Sequence, residues 1–237
     1  MRTLVILLLL TSVAHAQDEF EIQVYDVETA HQGESGIELH INEHLFHERS
    51  DETHTTFEPH YGIREWLEVG GYLQASVASG ERYYFAGAKL RLKARMPHRY
   101  WNDRIGLAVN GELSAVPSQF EPNVYGSEIR PIADVRAGRV YAAVNPIITV
   151  DLGGDLAGHP QFEPCAKLGV FVTESLGFGL EGYGAFGPLD DLGSEEVERG
   201  FVTLDYRAQA WDLDFGVGAN RGSPDHPVFK LILGIHP

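Results

Sequence analysis

Lys89, Arg91, Lys93 and Arg95 stand at alternate positions of the run 88–95, with Ala88, Leu90, Leu92 and Ala94 between them. Side chains on a strand alternate faces, so one face of this segment is cationic and the other apolar. Four cations in a row could attract an anionic or polarised solute. They equally need acids opposite them, because like charges side by side weaken a sheet and an isolated buried charge costs several kcal/mol.

Eleven histidines raise a second chemistry. Pairing the first two strand-like runs about their connection sets His44 opposite His54, His40 opposite Glu58, and Glu38 opposite His60. Imidazole and carboxylate together suit zinc, copper or nickel. The spacing matches no zinc motif and the chain has one cysteine, Cys165, so the pattern predicts polar pairs rather than a metal centre. A hydrolase needs a nucleophile beside a base. Ser114 and Ser127 lie near acids, but G-x-S-x-G is absent, as are Walker and dinucleotide fingerprints. The reading is no enzyme, no catalytic residue, no metal and no cofactor.

The elements that position these groups are strands. Twelve runs alternate apolar with polar: about 36–44, 54–62, 67–76, 83–95, 105–114, 127–136, 139–150, 162–172, 176–186, 198–208, 211–219 and 227–235. Most have the length that crosses a bilayer when tilted, and an even count suits an outer-membrane barrel. Connections after the second, sixth, eighth and tenth runs are short. Those after odd-numbered runs are mostly longer and polar, as short periplasmic turns and long outer loops require. The long connection 96–104 is the exception. Trp66, Trp101 and Trp211 all fall on the side assigned to the periplasm, where an interfacial belt belongs. Phe-Glu-Pro recurs at 57–59, 120–122 and 162–164 without a longer repeat around it.

With the apolar face turned to lipid, the inward face carries Glu38, His40, Glu58, His60, Glu68, Lys89, Arg91, Lys93, Arg95, Glu112, Glu128, Arg130, Asp134, Arg136, Lys167 and Glu181. Antiparallel pairing brings Glu68 to Arg91, Lys89 to Glu112, Glu112 to Arg130, and Lys167 to Glu181. The network fits two roles, a brace that fills a narrow barrel or a path for a solute.

Arg2, the apolar run Leu4–Leu10 and Ala14-His15-Ala16 form an export signal, cleaved after Ala16. Residues 17–35 are expected to be a periplasmic arm or partial plug, in which Phe20, Ile22 and Val24 alternate with Glu21, Gln23 and Tyr25. Residues 36–237 form the barrel domain. A net charge of −16 argues against a nucleic-acid partner.

Several segments resemble a proteobacterial outer-membrane β-barrel group. They are Glu21-Ile22-Gln23-Val24-Tyr25-Asp26, Gly36-Ile37-Glu38-Leu39-His40, Thr56-Phe57-Glu58-Pro59-His60-Tyr61-Gly62, Gly126-Ser127-Glu128-Ile129-Arg130-Pro131-Ile132 and Lys230-Leu231-Ile232-Leu233-Gly234. Members of that group are described as transporters or as proteins of the phenol meta-cleavage pathway. The resemblance implies transport of small solutes, aromatic or organic ones included, and carries over no ligand residues. It also implies the outer membrane of a Gram-negative cell, with lipid and the barrel assembly machinery as partners. Such barrels usually end on an aromatic residue, whereas this sequence ends Ile235-His236-Pro237, a departure that bears on recognition by the assembly machinery, although an internal strand can also signal. The fold expected is therefore all-β, an antiparallel transmembrane barrel of about 12 strands. The alternatives are a non-conducting structural or adhesion barrel and a soluble periplasmic barrel that binds a lipophile.

Overall fold

Alternation of apolar and polar residues drives most described residues after 34 into antiparallel strand. The computed structural model describes residues 18–46, 51–78, 82–117, 124–153, 157–194, 197–221 and 223–236. The export signal and the second Phe-Glu-Pro lie outside these residues.

The strand segments are β1 (Ser35–His44), β2 (Glu52–Arg64), β3 (Leu67–Ala78), β4 (Tyr84–Arg95), β5 (Ile105–Ala115), β6 (Tyr125–Ala137), β7 (Val140–Asn145), β8 (Ile148–Asp151), β9 (Gln161–Phe162), β10 (Cys165–Phe171), β11 (Leu176–Ala185), β12 (Val197–Arg207), β13 (Trp211–Asn220) and β14 (Ser223–Ile235). Each pairs antiparallel with its neighbours, β1 pairs with β14, and β5 pairs with β6, so the sheet closes on itself. The fourteen segments make twelve staves, because β7 with β8 and β9 with β10 each form one interrupted stave. Closure leaves no free edge.

The two interruptions correct the continuous strands expected over 139–150 and 162–172. Pro146 separates β7 from β8, and Pro164 separates β9 from β10. Proline has no N–H for a ladder and is confined to bulges or edges. The chain stays in the wall across both gaps: the Glu163 N–H donates to Ile147 O at 3.0 Å and the Gly184 N–H to Pro164 O at 3.0 Å. A third irregularity lies in β4, where Gln74 faces Gly87 but Ala75 faces Phe85. Gly87 takes φ +149°, and a Cβ there would lie 2.9 Å from Ala115 O, so this bulge needs glycine.

The barrel is turned inside out relative to a soluble one. Leu73, Leu90, Leu113, Ile129, Leu180 and Val202 are exposed on its outer surface, each more than half accessible. Arg130, Lys230, His40, Asp134, Asn110 and Glu58 are buried on its inner surface. An outward apolar band with a polar interior is the arrangement of a barrel in lipid. Trp66, Trp101 and Trp211 are exposed at one rim, since the β2–β3, β4–β5 and β12–β13 connections share an end of an antiparallel barrel. Tyr83, Tyr84, Phe85 and Tyr125 are exposed toward the other.

The first register differs from expectation. β2 begins at Glu52, two residues earlier than its apolar pattern suggested, and His44 pairs with Glu52. Glu38 therefore lies opposite Glu58, His40 opposite Thr56, and Gly36 opposite His60. His44 and His54 still meet diagonally, with ring centroids 5.1 Å apart.

Candidate functional site: a lumen threaded by the N-terminal arm

Residues 18–31 run through the lumen. Glu19 reaches His44 and Arg199 toward the ends of β1 and β12. At the opposite rim the Thr29 hydroxyl donates to Glu65 O at 3.1 Å, in the β2–β3 turn. Successive residues of 21–25 face opposite walls, Ile22 and Val24 one way and Glu21 and Tyr25 the other.

One wall is apolar. Ile22 and Val24 pack with Tyr141, Ala143, Ile147, Cys165, Tyr183, Phe201 and Val228, all buried. The inward faces of β7 and β10–β12 thus carry a patch of small and aromatic residues beside their charged ones, and the arm covers that patch. Tyr25 and Val27 form a second cluster with Ile132.

The other wall is charged. Glu21 is fully buried and lies 3.2 Å from Arg130 and 3.5 Å from Lys89. Tyr25 sits among three cations: its ring centre is 4.2 Å from the Arg130 guanidinium, 5.2 Å from Lys93 and 5.6 Å from Arg91. Its hydroxyl meets that of Tyr72, which donates to Glu112 at 3.2 Å. Asn145 fixes the arm backbone at the same point, accepting from Tyr25 N at 2.7 Å and donating to Tyr25 O at 3.0 Å.

Three of the four expected strand-to-strand pairs form. Arg91 meets Glu68 at 2.6 Å, Lys89 meets Glu112 at 3.6 Å, and Lys167 meets Glu181 at 3.1 Å. The fourth is replaced: the short contacts of Arg130 go to Glu128 at 2.7 Å and to Glu21 of the arm. The cause is register, since Glu112 lies directly across from Glu128 and Arg130 across from Asn110.

The remaining expected residues distribute themselves around the arm. Lys93 and Arg136 reach Asp26 at 3.9 and 3.3 Å. Arg95 donates to Thr29 Oγ1 at 3.0 Å and Glu65 O at 2.8 Å, which places it at the rim. Asp134 accepts from Gly106 N at 3.2 Å and pairs with Arg99. Glu38, His40 and Glu58 form one group with Gln23, whose side-chain amide donates to Glu38 at 3.2 Å. His60 stands beside it, with its ring 6.3 Å from that of His236.

The long connection 96–104 has a structural use. It turns at Trp101, Asn102 and Asp103, which take φ of 53°, 56° and 59°. This left-handed turn folds Arg99 back over the rim to Glu28 of the arm, at 3.3 Å.

A second network fills the other half of the lumen. Lys230 and Lys167 share Glu181 and Asp214, at 2.6 to 3.2 Å, and Lys167 also takes Asp205 at 2.6 Å. Arg199, which grips Glu19 through two bonds of 2.8 and 2.9 Å, carried no signal in the strand pattern. Its acid comes from the arm rather than from a neighbouring strand.

Between the arm and the wall near the Trp rim lies a cavity of about 550 Å³. Its lining includes Arg91, Lys93 and Lys167 together with Glu38, Asp205 and Asp214, so cations and acids are interspersed around it. Such a mixed polar surface suits a hydrated or zwitterionic small molecule better than a purely apolar one.

Comparison with solved structures agrees with this architecture. The chain is similar to the COG4313 outer membrane channel from Pseudomonas putida F1, with a TM-score of 0.61, 10% identity, and coverage of 92% of this chain and 100% of that one. It is also similar to the KdgM porin in complex with disordered oligogalacturonate, with a TM-score of 0.56, 9% identity, and coverage of 84% and 98%. The fold is that of an outer-membrane β-barrel. At these identities the likeness is one of fold. No family model and no curated protein matches the sequence.

Proposed function

We propose that this protein is an outer-membrane channel for small solutes whose lumen is narrowed by its own N-terminal arm. The observation that carries this reading is the pairing of an outward apolar belt with a lumen of opposed cations and acids around a cavity of about 550 Å³. A barrel that served only as a brace has no need of a polar cavity open toward one rim. The lumen residues Lys89, Arg91, Lys93, Lys167, Glu38 and Glu68 form the solute path in this reading, and the arm sets its bore. Both solved structures described above are named as a channel or a porin, which supports the reading.

The test is conductance across a planar bilayer containing the purified barrel, compared with a variant lacking residues 18–28. Measurable current that rises on removal of the arm supports the channel. Absence of current from both proteins, each folded by the criterion of heat-shifted electrophoretic mobility, would sink it and favour a structural barrel.

A further inference from the structure

Glu38 and Glu58 are direct cross-strand partners, both facing the lumen. Two carboxylates so placed repel each other and call for a cation between them. Arg91 pairs with Glu58 from its far side, at 2.7 Å from Oε1, and is shared with Glu68 at 2.6 Å, so it does not stand between the two carboxylates. What stands between the near oxygens is the fully buried ring of His40. Its Nε2 lies 3.5 Å from Glu38 Oε2 and 3.3 Å from Glu58 Oε2.

Two fillings can be set against these distances. A protonated imidazole shared by two carboxylates makes charge-assisted bonds of about 2.7–2.9 Å. The observed separations are longer, and neither ring nitrogen of His40 has a hydrogen-bond partner among the described residues. A tetrahedral ion with ligands at about 2.0–2.1 Å holds its donor atoms about 3.3 Å apart. All three donor atoms lie within 4.8 Å of one another. We propose that Glu38, His40 and Glu58 bind a divalent transition metal, with Zn²⁺ the best match to one imidazole and two carboxylates.

The surroundings suit such a site. Arg91 on Glu58 Oε1 and Gln23 on Glu38 Oε2 orient the two carboxylates, the role of outer partners at metal centres. Glu38 lines the lumen cavity, which gives the ion an entry route and leaves the fourth position to water or a solute oxygen. The sequence suggested polar pairs here, because the ligands come from two strands and fit no linear motif. The ion would also tie the arm, through Gln23, to the β1–β2 wall.

The test is Zn²⁺ binding by the folded barrel in detergent, after treatment with a chelator. One equivalent should bind at micromolar concentration or tighter. His40→Gln and Glu58→Gln should each weaken binding by more than the about 10–100-fold that loss of an outer partner costs. His31→Gln, at the rim, should leave it unchanged. Failure of the wild-type barrel to hold one equivalent overturns the proposal, as does unchanged affinity in folded His40→Gln. X-ray absorption on the Zn²⁺-loaded wild type decides the matter even if those variants do not fold. A four-coordinate nitrogen and oxygen shell with a single imidazole supports the site; two or more imidazoles, or six oxygens, refute it.

Discussion

The Arg130 guanidinium lies 4.2 Å from the centre of the Tyr25 ring, so a side chain of the arm is clamped by a side chain of β6 in the middle of the barrel. A desolvated cation–π contact contributes about 2 kcal/mol, and here Lys93 and Arg91 flank the same ring. Tyr25→Ala removes the centre of this cage and leaves three cations facing space the arm no longer fills. The expected result is a larger single-channel conductance with the barrel still resistant to heat. Planar-bilayer recording beside gel mobility checks it.

Gly62 is where the arm leaves the lumen. Its N–H donates to Glu34 O at 2.9 Å, and its carbonyl accepts from Gly33 N at 2.8 Å. A Cβ at this position would stand 2.1 Å from His31 O and 2.6 Å from Ala30 O, both backbone atoms that cannot swing aside. Gly62→Ala should therefore displace the arm at the rim without breaking the β1–β2 ladder. Protease access to residues 28–34 in folded protein should rise relative to wild type. Equal protection in both proteins would show that the arm tolerates the methyl group.

Lys230 serves Glu181 at 2.6 Å and Asp214 at 3.2 Å from a fully buried position. Lys230→Met leaves Lys167 as the one cation for both acids, and breaking a buried pair from one side costs about 3–5 kcal/mol. Denaturant unfolding in detergent should show a loss of that order. Adding Glu181→Gln should restore part of it, because one uncompensated charge then disappears.

The rim latch between the arm and the β2–β3 turn depends on pH. The Glu65 carboxylate holds the His31 imidazole above its usual range, and His31 with the Gln32 N–H holds Glu65 below its own. A raised histidine stabilises the latched form below its unfolded pKa and loses that contribution as pH rises through the bound value. A lowered carboxylate contributes above its unfolded pKa and loses that as pH falls through the bound value. The latch is accordingly strongest in mildly acidic solution, and weakens both toward alkaline pH and toward strong acid. Mobility of a spin label near residue 31 should follow that profile, and Glu65→Gln should flatten it. A pH-independent signal in wild type would refute the latch.

Much of the wall was legible in the sequence because alternation is a local property. Leu90 and Leu92 against Lys89 and Arg91 fix both the strand and its orientation, whatever lies beside them. Register was less accessible. The two-residue shift that sets Glu38 against Glu58 depends on where β2 begins, and Glu52 belongs to β2 through pairing rather than through an apolar pattern. Pro146 and Pro164 did mark the broken staves, but each sits in a run whose alternation continues past it. The arm's position was the hardest to read. Its contacts with Asn145, Arg199 and Lys230 join residues more than a hundred positions apart. The trace it left was indirect: Tyr141, Ala143, Cys165, Tyr183 and Phe201 form an apolar inner wall that water would not cover well.

The contact of Lys230 with Ile22 O, 3.4 Å long, spans 208 positions of chain. It joins the last stave to the segment that runs inside all the others, while β14 also completes the ring by pairing with β1. The closed cylinder thus encloses the arm along its axis, and the seam and the threading segment lie in contact. Contacts of such separation are formed late and make folding slow. An arm left outside when the seam zips would leave a hollow tube with an unclad greasy inner wall, and would then have to enter from an open end. Which of these two objects forms would then turn on whether the arm lies inside before the seam closes.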